Sequence, residues 1–263
     1  MSAALANTPR ARLARAARAA VVPIAILTLW RTAVQHRWVN PLLLAPPEKV
    51  ITRLATEINE GELFSQILAS VQRDLIGFAI GAGIGVLLGG LLGASKWADR
   101  VIGPTFHAYK QVAIFAWIPL MSVWLGNGES AKVAFVALAA FYPVVQSTYE
   151  GVRGVPPQFV EVARVFRFTP WQLVRRVILP SAAPSIFAGV HLALVYSWLA
   201  TLGAEYLLAA GAGVGNLMIE GRESFAMDKV ALGVIIAGAV GASLNAVASA
   251  LETRTLRWRV RGV

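Results

Sequence analysis

Runs of about twenty apolar residues, separated by short charged clusters, recur along this chain and constrain it more than any other feature. A run of that length crosses a bilayer as a helix, because lipid offers no partner to backbone N–H and C=O groups and a helix satisfies its own. The composition agrees. Of 263 residues, 57% are hydrophobic and 14% charged, whereas a soluble domain carries about a quarter charged residues. The expected fold class is all-α, a polytopic membrane protein of about six transmembrane helices. The candidate spans are Val21–Val34, Asp74–Ala94, Tyr109–Leu125 broken at Pro119, Ala131–Gln146, Pro184–Leu202 and Val230–Ala250. Basic tails over 1–18 and 253–263 flank this 19–252 membrane domain. The first span reads as an uncleaved anchor rather than a signal peptide, since no small-x-small site precedes a secreted-type sequence. After it, Pro46-Pro47 opens a short amphipathic helix reaching about Ile58.

Several function classes are excluded at once. Cysteine is absent, which removes a disulfide framework and any thiolate metal site. His36, His107 and His191 stand too far apart to suggest zinc. No GxxxxGK[ST], nucleophile–base pattern or HExxH occurs, so the chain is not expected to be an enzyme or to bind a cofactor. The net charge of +10 could serve nucleic acid, but its placement follows a membrane instead. An even number of spans puts both termini on one side, together with Lys96, Arg100, Arg153 and the arginines of segment 156–180. Those basic residues outnumber the ones assigned to the other side, among them Arg37, Arg53, Arg73 and Lys132, by about two to one. The termini and segment 156–180 are therefore expected in the cytoplasm.

Segment Pro156–Pro180, PPQFVEVARVFRFTPWQLVRRVILP, carries its own start and stop signals. Its two leading prolines suit a helix's first turn, and Phe159, Val162, Ala163 and Phe166 form one helical face. Thr169-Pro170-Trp171-Gln172 reads as a capping box that starts a second helix, expected to stop at Pro180. The result is a helical hairpin bearing Glu161, Arg164, Arg167, Arg175 and Arg176. It either rests on lipid headgroups or docks a partner.

Gly77, Gly81, Gly85, Gly89 and Gly93 recur at four-residue spacing, a stripe that lets another helix backbone approach closely. Polar residues within or beside spans are candidates for a solute pathway: Lys110, Gln111, His191, Tyr196, Ser197, Glu205 and Asn245. Each could equally hydrogen-bond between helices. The glycine-rich stretch Glu205–Lys229, with Gly211-Ala-Gly213-Val-Gly215, could be a short re-entrant helix or an ordered surface loop.

Several of these motifs together resemble a known family. Glu161-x-Ala163, Pro170-Trp171 and Ile178-Leu179-Pro180 are similar to the "EAA" loop of ATP-binding cassette (ABC) importer permeases. In that family the loop is the cytoplasmic coupling helix, which seats in a groove on the ATPase subunit. Arg167 departs from the pattern, standing where the family usually has glycine. Ala116-Trp117-Ile118-Pro119-Leu120, Ser197-Trp198, Gly203-Ala204-Glu205 and Glu220-Gly221-Arg222 resemble the sulfonate, nitrate and taurine branch. The resemblance runs from about Pro41 to Trp258. It implies the type I importer permease fold, and a homodimer in the bacterial inner membrane, surrounded by lipid. It also implies two ATPase copies holding ATP and Mg, a solute-binding protein, no nucleic acid, and a small anion as cargo. Vitamin precursors and aromatic acids are also carried within that branch. A secondary carrier would need broken spans in both halves, and a polytopic enzyme a cluster of His, Asp or Glu. Neither pattern is evident.

Overall fold

A computed structural model describes residues 9–40, 43–208 and 211–255. Among them every regular element is helical. The outer parts of both expected basic tails, 1–8 and 256–263, lie outside the described residues.

In chain order the helices are α1 (Pro9–Gln35), α2 (Pro47–Glu60), α3 (Glu62–Ala94), α4 (Lys96–Tyr109), α5 (Ile118–Leu125) and α6 (Glu129–Arg153). There follow α7 (Pro157–Val165), α8 (Pro170–Leu208), α9 (Val214–Glu223) and α10 (Met227–Thr255). Four of them, α3, α6, α8 and α10, are long and apolar enough to cross a membrane. The pair α4 and α5, bent by 92°, makes a fifth if counted together, and Val21–Gln35 of α1 is a shorter apolar stretch. The expected count of about six is thus slightly higher than the helices of full length.

Three local expectations need correction, each for a backbone reason. Lys96–Pro104, a stretch between two of the expected spans, is helical within α4, whose N-terminus is capped by Ser95 Oγ accepting from the Ala98 N–H at 3.3 Å. The break expected at Pro119 falls earlier, at residues 110–113, because Pro119 sits in the first turn of α5, where its missing N–H costs nothing. Pro180 does not end the hairpin's second helix. Residues Val174–Ile178 form a π-turn whose wider backbone accommodates the proline, so helix continues into the membrane span.

The core is a three-helix stack. α3 and α6 run parallel, and α8 returns antiparallel to them, seating Gly189 against Ser147 and the Pro143 carbonyl. The glycine stripe is the seam between α3 and α6. A Cβ at Gly77 would lie 2.6 Å from Val136 Cγ1, one at Gly85 2.9 Å from Val144 Cβ, and one at Gly93 2.8 Å from Val152 Cβ. At Gly81 and Gly89 the obstacle is backbone, the carbonyl oxygens of Ala137 and Val145. α10 packs outside α8, where Trp198 Nε1–H donates to the Ala237 carbonyl at 3.0 Å.

Candidate functional site

The sequence-predicted site residues fall in several separate places. The first is an ionic network where α3, α6 and α8 meet at the end opposite the hairpin. Glu205 is fully buried. It accepts hydrogen bonds from Ser70 Oγ at 2.7 Å and from the Gly215 N–H at 2.7 Å, and it pairs with Arg73. Arg73 in turn grips Glu129 with its fork, Nε at 2.8 Å and Nη2 at 2.6 Å, and donates to the Ala212 carbonyl at 3.1 Å. Lys132, also buried, stands 3.9 Å from Glu129. Two cations and two anions thus neutralise one another, with Glu129 at the exposed rim and the other three inside the bundle. That balance is what makes charge tolerable at this depth.

This network explains the glycine-rich loop. A Cβ at Gly213 would fall 2.5 Å from Glu205 Oε1, and one at Gly215 2.5 Å from Glu205 Cβ. Only glycine lets the chain close over the carboxylate. Val214 N–H donates to Ser70 Oγ at 2.9 Å, so the buried N–H groups in the first turn of α9 are satisfied by α3 and α8. Within Glu205–Lys229 the short helix is α9, Val214–Glu223, and its first turn is locked onto the core.

Arg73, Asp74, Glu129 and Lys132 are not among the pathway candidates that sequence reasoning offers. The apolar run alone starts the second span at Asp74, but α3 begins twelve residues earlier, at Glu62. Arg73 and Asp74 therefore lie inside it, both buried. The available signal was the apolar periodicity of Leu63, Ile67 and Val71 upstream of that start. The other pathway candidates scatter. Ser197 is buried, and Thr201 Oγ1 reaches Asp74 at 3.3 Å one turn away. His191 Nε2 lies 2.6 Å from Asn245 Oδ1, and Nδ1 3.4 Å from Glu252, so His191 ties α8 to α10. Tyr196 and Lys110 line a separate cavity.

The hairpin occupies the other end, between α6 and α8. Its turn ends α7 with paired hydrogen bonds, Phe168 N–H to the Ala163 carbonyl at 3.0 Å and Arg167 N–H to the Arg164 carbonyl at 2.9 Å. That pattern places Arg167 in the left-handed region, at φ 54°. The capping box is present in full, with Gln172 N–H donating to Thr169 Oγ1 and Thr169 N–H to Gln172 Oε1. Ala163 is buried, whereas Glu161, Arg164, Pro170, Leu179 and Pro180 are exposed. Phe159, Val162, Val165, Phe166 and Trp171 are all more than half exposed. That is a large apolar surface for so short a segment.

Residues 81–257 match the model of the binding-protein-dependent transport system inner membrane component family. The chain belongs to that family. It is 34% identical to the putative aliphatic sulfonates transport permease protein SsuC of Bacillus subtilis, over 91% of this chain and 86% of the relative. It is also 32% identical to the bicarbonate transport system permease protein CmpB of Synechococcus elongatus, over 76% of this chain and 71% of the relative. A crystal structure of an amino acid ABC transporter with histidines has a similar fold, with a TM-score of 0.64 at 16% identity. That match covers 76% of this chain and 97% of the other.

The chain is thus a multi-pass membrane permease rather than a catalytic subunit, built on the importer permease fold. Within it, Arg167 keeps a backbone conformation that suits glycine. An L-residue there costs roughly 1–2 kcal/mol. Arg167→Gly is therefore expected to raise stability by about 1 kcal/mol, read as a higher thermal midpoint in detergent. A lower midpoint would show that contacts of the arginine outweigh its backbone strain.

Proposed function

We propose that this permease forms the membrane pathway of an ABC importer for small anions, alkanesulfonates foremost. The observation that carries the coupling part of this reading is the hairpin. It offers Phe159, Val162, Val165, Phe166 and Trp171 uncovered, next to the charged Glu161 and Arg164. An apolar patch rimmed by charge is the surface expected of a docking site. The hairpin also runs without a break into α8. A push there is transmitted along a helix of 39 residues, about 58 Å from end to end at 1.5 Å per residue, whose far end carries Glu205.

In this reading two copies of the permease close one pathway across a two-fold axis. Two ATPase subunits, which hold the ATP and Mg, seat the two hairpins, and a solute-binding protein delivers cargo at the opposite end. The hairpin and both termini face the cytoplasm. Burial of Arg73 and Lys132 supports that orientation, since neither counts as a loop charge on the far side. The named cargoes of the relatives, aliphatic sulfonates and bicarbonate, support a small anion.

The test is co-purification with the ATPase and solute uptake, comparing the parent with Glu161→Ala. Removing a glutamate that is buried and paired in the docked complex costs about 2–5 kcal/mol. The variant should therefore release the ATPase, or hydrolyse ATP without uptake. Normal uptake with the ATPase still bound would overturn the coupling role of Glu161.

A further inference from the structure

Midway along the bundle the chain leaves helix at residues 110–113, between α4 and α5, which meet at 92°. At membrane depth such backbone is tolerated only where it is covered by protein or lines a cavity. Here it lines one of about 330 Å³, walled by Tyr109, Lys110, Phe115, Tyr142, Tyr196 and Leu199 among others. That is a volume at the small end of ligand pockets. Val112, Phe115, Tyr196 and Leu199 are exposed, so the cavity opens on one side.

Lys110 sets its chemistry. Among the described residues no acidic side chain pairs with the Lys110 ammonium, whereas Arg73, Lys132, Arg153 and Lys229 each face a carboxylate. An ionisable residue within a span that lacks a protein counter-charge points to a charge supplied by something else. The Tyr109 hydroxyl is engaged with the Leu138 carbonyl at 3.2 Å. Tyr142 and Tyr196 offer further phenols, and Phe115, Leu138, Ala139 and Leu199 make an apolar wall.

We propose that this cavity is a solute site for organic monoanions with a short apolar tail, the class of small alkanesulfonates, in preference to nitrate or bicarbonate. Lys110 takes the anionic head and the Phe115–Leu199 wall takes the tail. An inorganic oxyanion would leave that wall in contact with nothing, while each added methylene gains about fourfold in binding from burial. The inference rests on the importer reading and gives its cargo a binding site.

The experiment is uptake of pentanesulfonate and methanesulfonate by proteoliposomes holding the permease, its ATPase and its binding protein. Lys110→Gln should cut uptake of both at least tenfold, and Lys110→Arg should restore most of it. Leu199→Trp, which fills the tail wall, should lower the pentanesulfonate-to-methanesulfonate ratio at least fivefold, a readout that does not depend on assembly yield. Uptake by Lys110→Gln at the parental rate overturns the head site, and an unchanged ratio in Leu199→Trp overturns the tail wall. If the parent assembly takes up neither sulfonate, the anion-importer reading itself fails, a result distinct from either.

Discussion

Arg73→Ala is expected to be the most destabilising single substitution in this protein. It would take from fully buried Glu205 its salt-bridge partner, leaving Ser70, the Gly215 N–H and the Lys132 charge nearby, and would release Glu129 and the Ala212 carbonyl. Removing one member of a buried ion pair costs about 3–5 kcal/mol, because the remaining charge stays desolvated. The effect should spread to α9, whose first turn is held by Glu205 and Ser70. Thermal unfolding in detergent should show a midpoint many degrees lower, or no folded protein. Arg73→Lys should lose less, since it keeps the charge but not the fork that grips both Glu129 oxygens. A midpoint for Arg73→Ala equal to the parent's would mean that the network contributes nothing to stability.

Gly81→Ala should come second, and its control lies two residues away. A Cβ at Gly81 collides with the Ala137 carbonyl, a backbone atom that cannot swing aside, so α3 and α6 must part. Overpacking of this kind costs typically 1–3 kcal/mol. Here the figure should sit at the upper end, because Gly77, Gly85 and Gly89 hold the same seam closed on either side. Gly83 and Gly90 lie on the same helix, and a Cβ at either would meet nothing within 4 Å. Gly83→Ala should be neutral or stabilise by about 0.5–1 kcal/mol through helix propensity alone. The comparison is decided by folded yield and thermal midpoint of the two variants side by side. Equal behaviour would refute the seam.

Much of this architecture was legible because it rests on short-range chemistry. The apolar runs located the spans, since burial in lipid demands a continuous apolar helix whatever packs beside it. Thr169 and Gln172 announced their own capping box, which needs only neighbours three apart to form. The glycine stripe predicted close packing from period alone, because residues four apart share one helix face. Arg167 showed what local rules leave open. A non-glycine residue could have reshaped the turn, and here it keeps the left-handed conformation instead.

What the sequence by itself determined was a polytopic helical permease, its helical hairpin and the face of α3 that packs. What only the tertiary structure decided was which partner that face meets, and where the charges go. Glu129 and Glu205 stand 56 and 132 residues from Arg73 along the chain, and no local pattern records that the three converge. Their pairing follows from α3, α6 and α8 coming together at one end. The same holds for the 92° break beside Lys110, where α4 and α5 both meet α6. Helices form from neighbours in sequence, but a buried charge is stable only beside its opposite, and that neighbour is supplied by the fold.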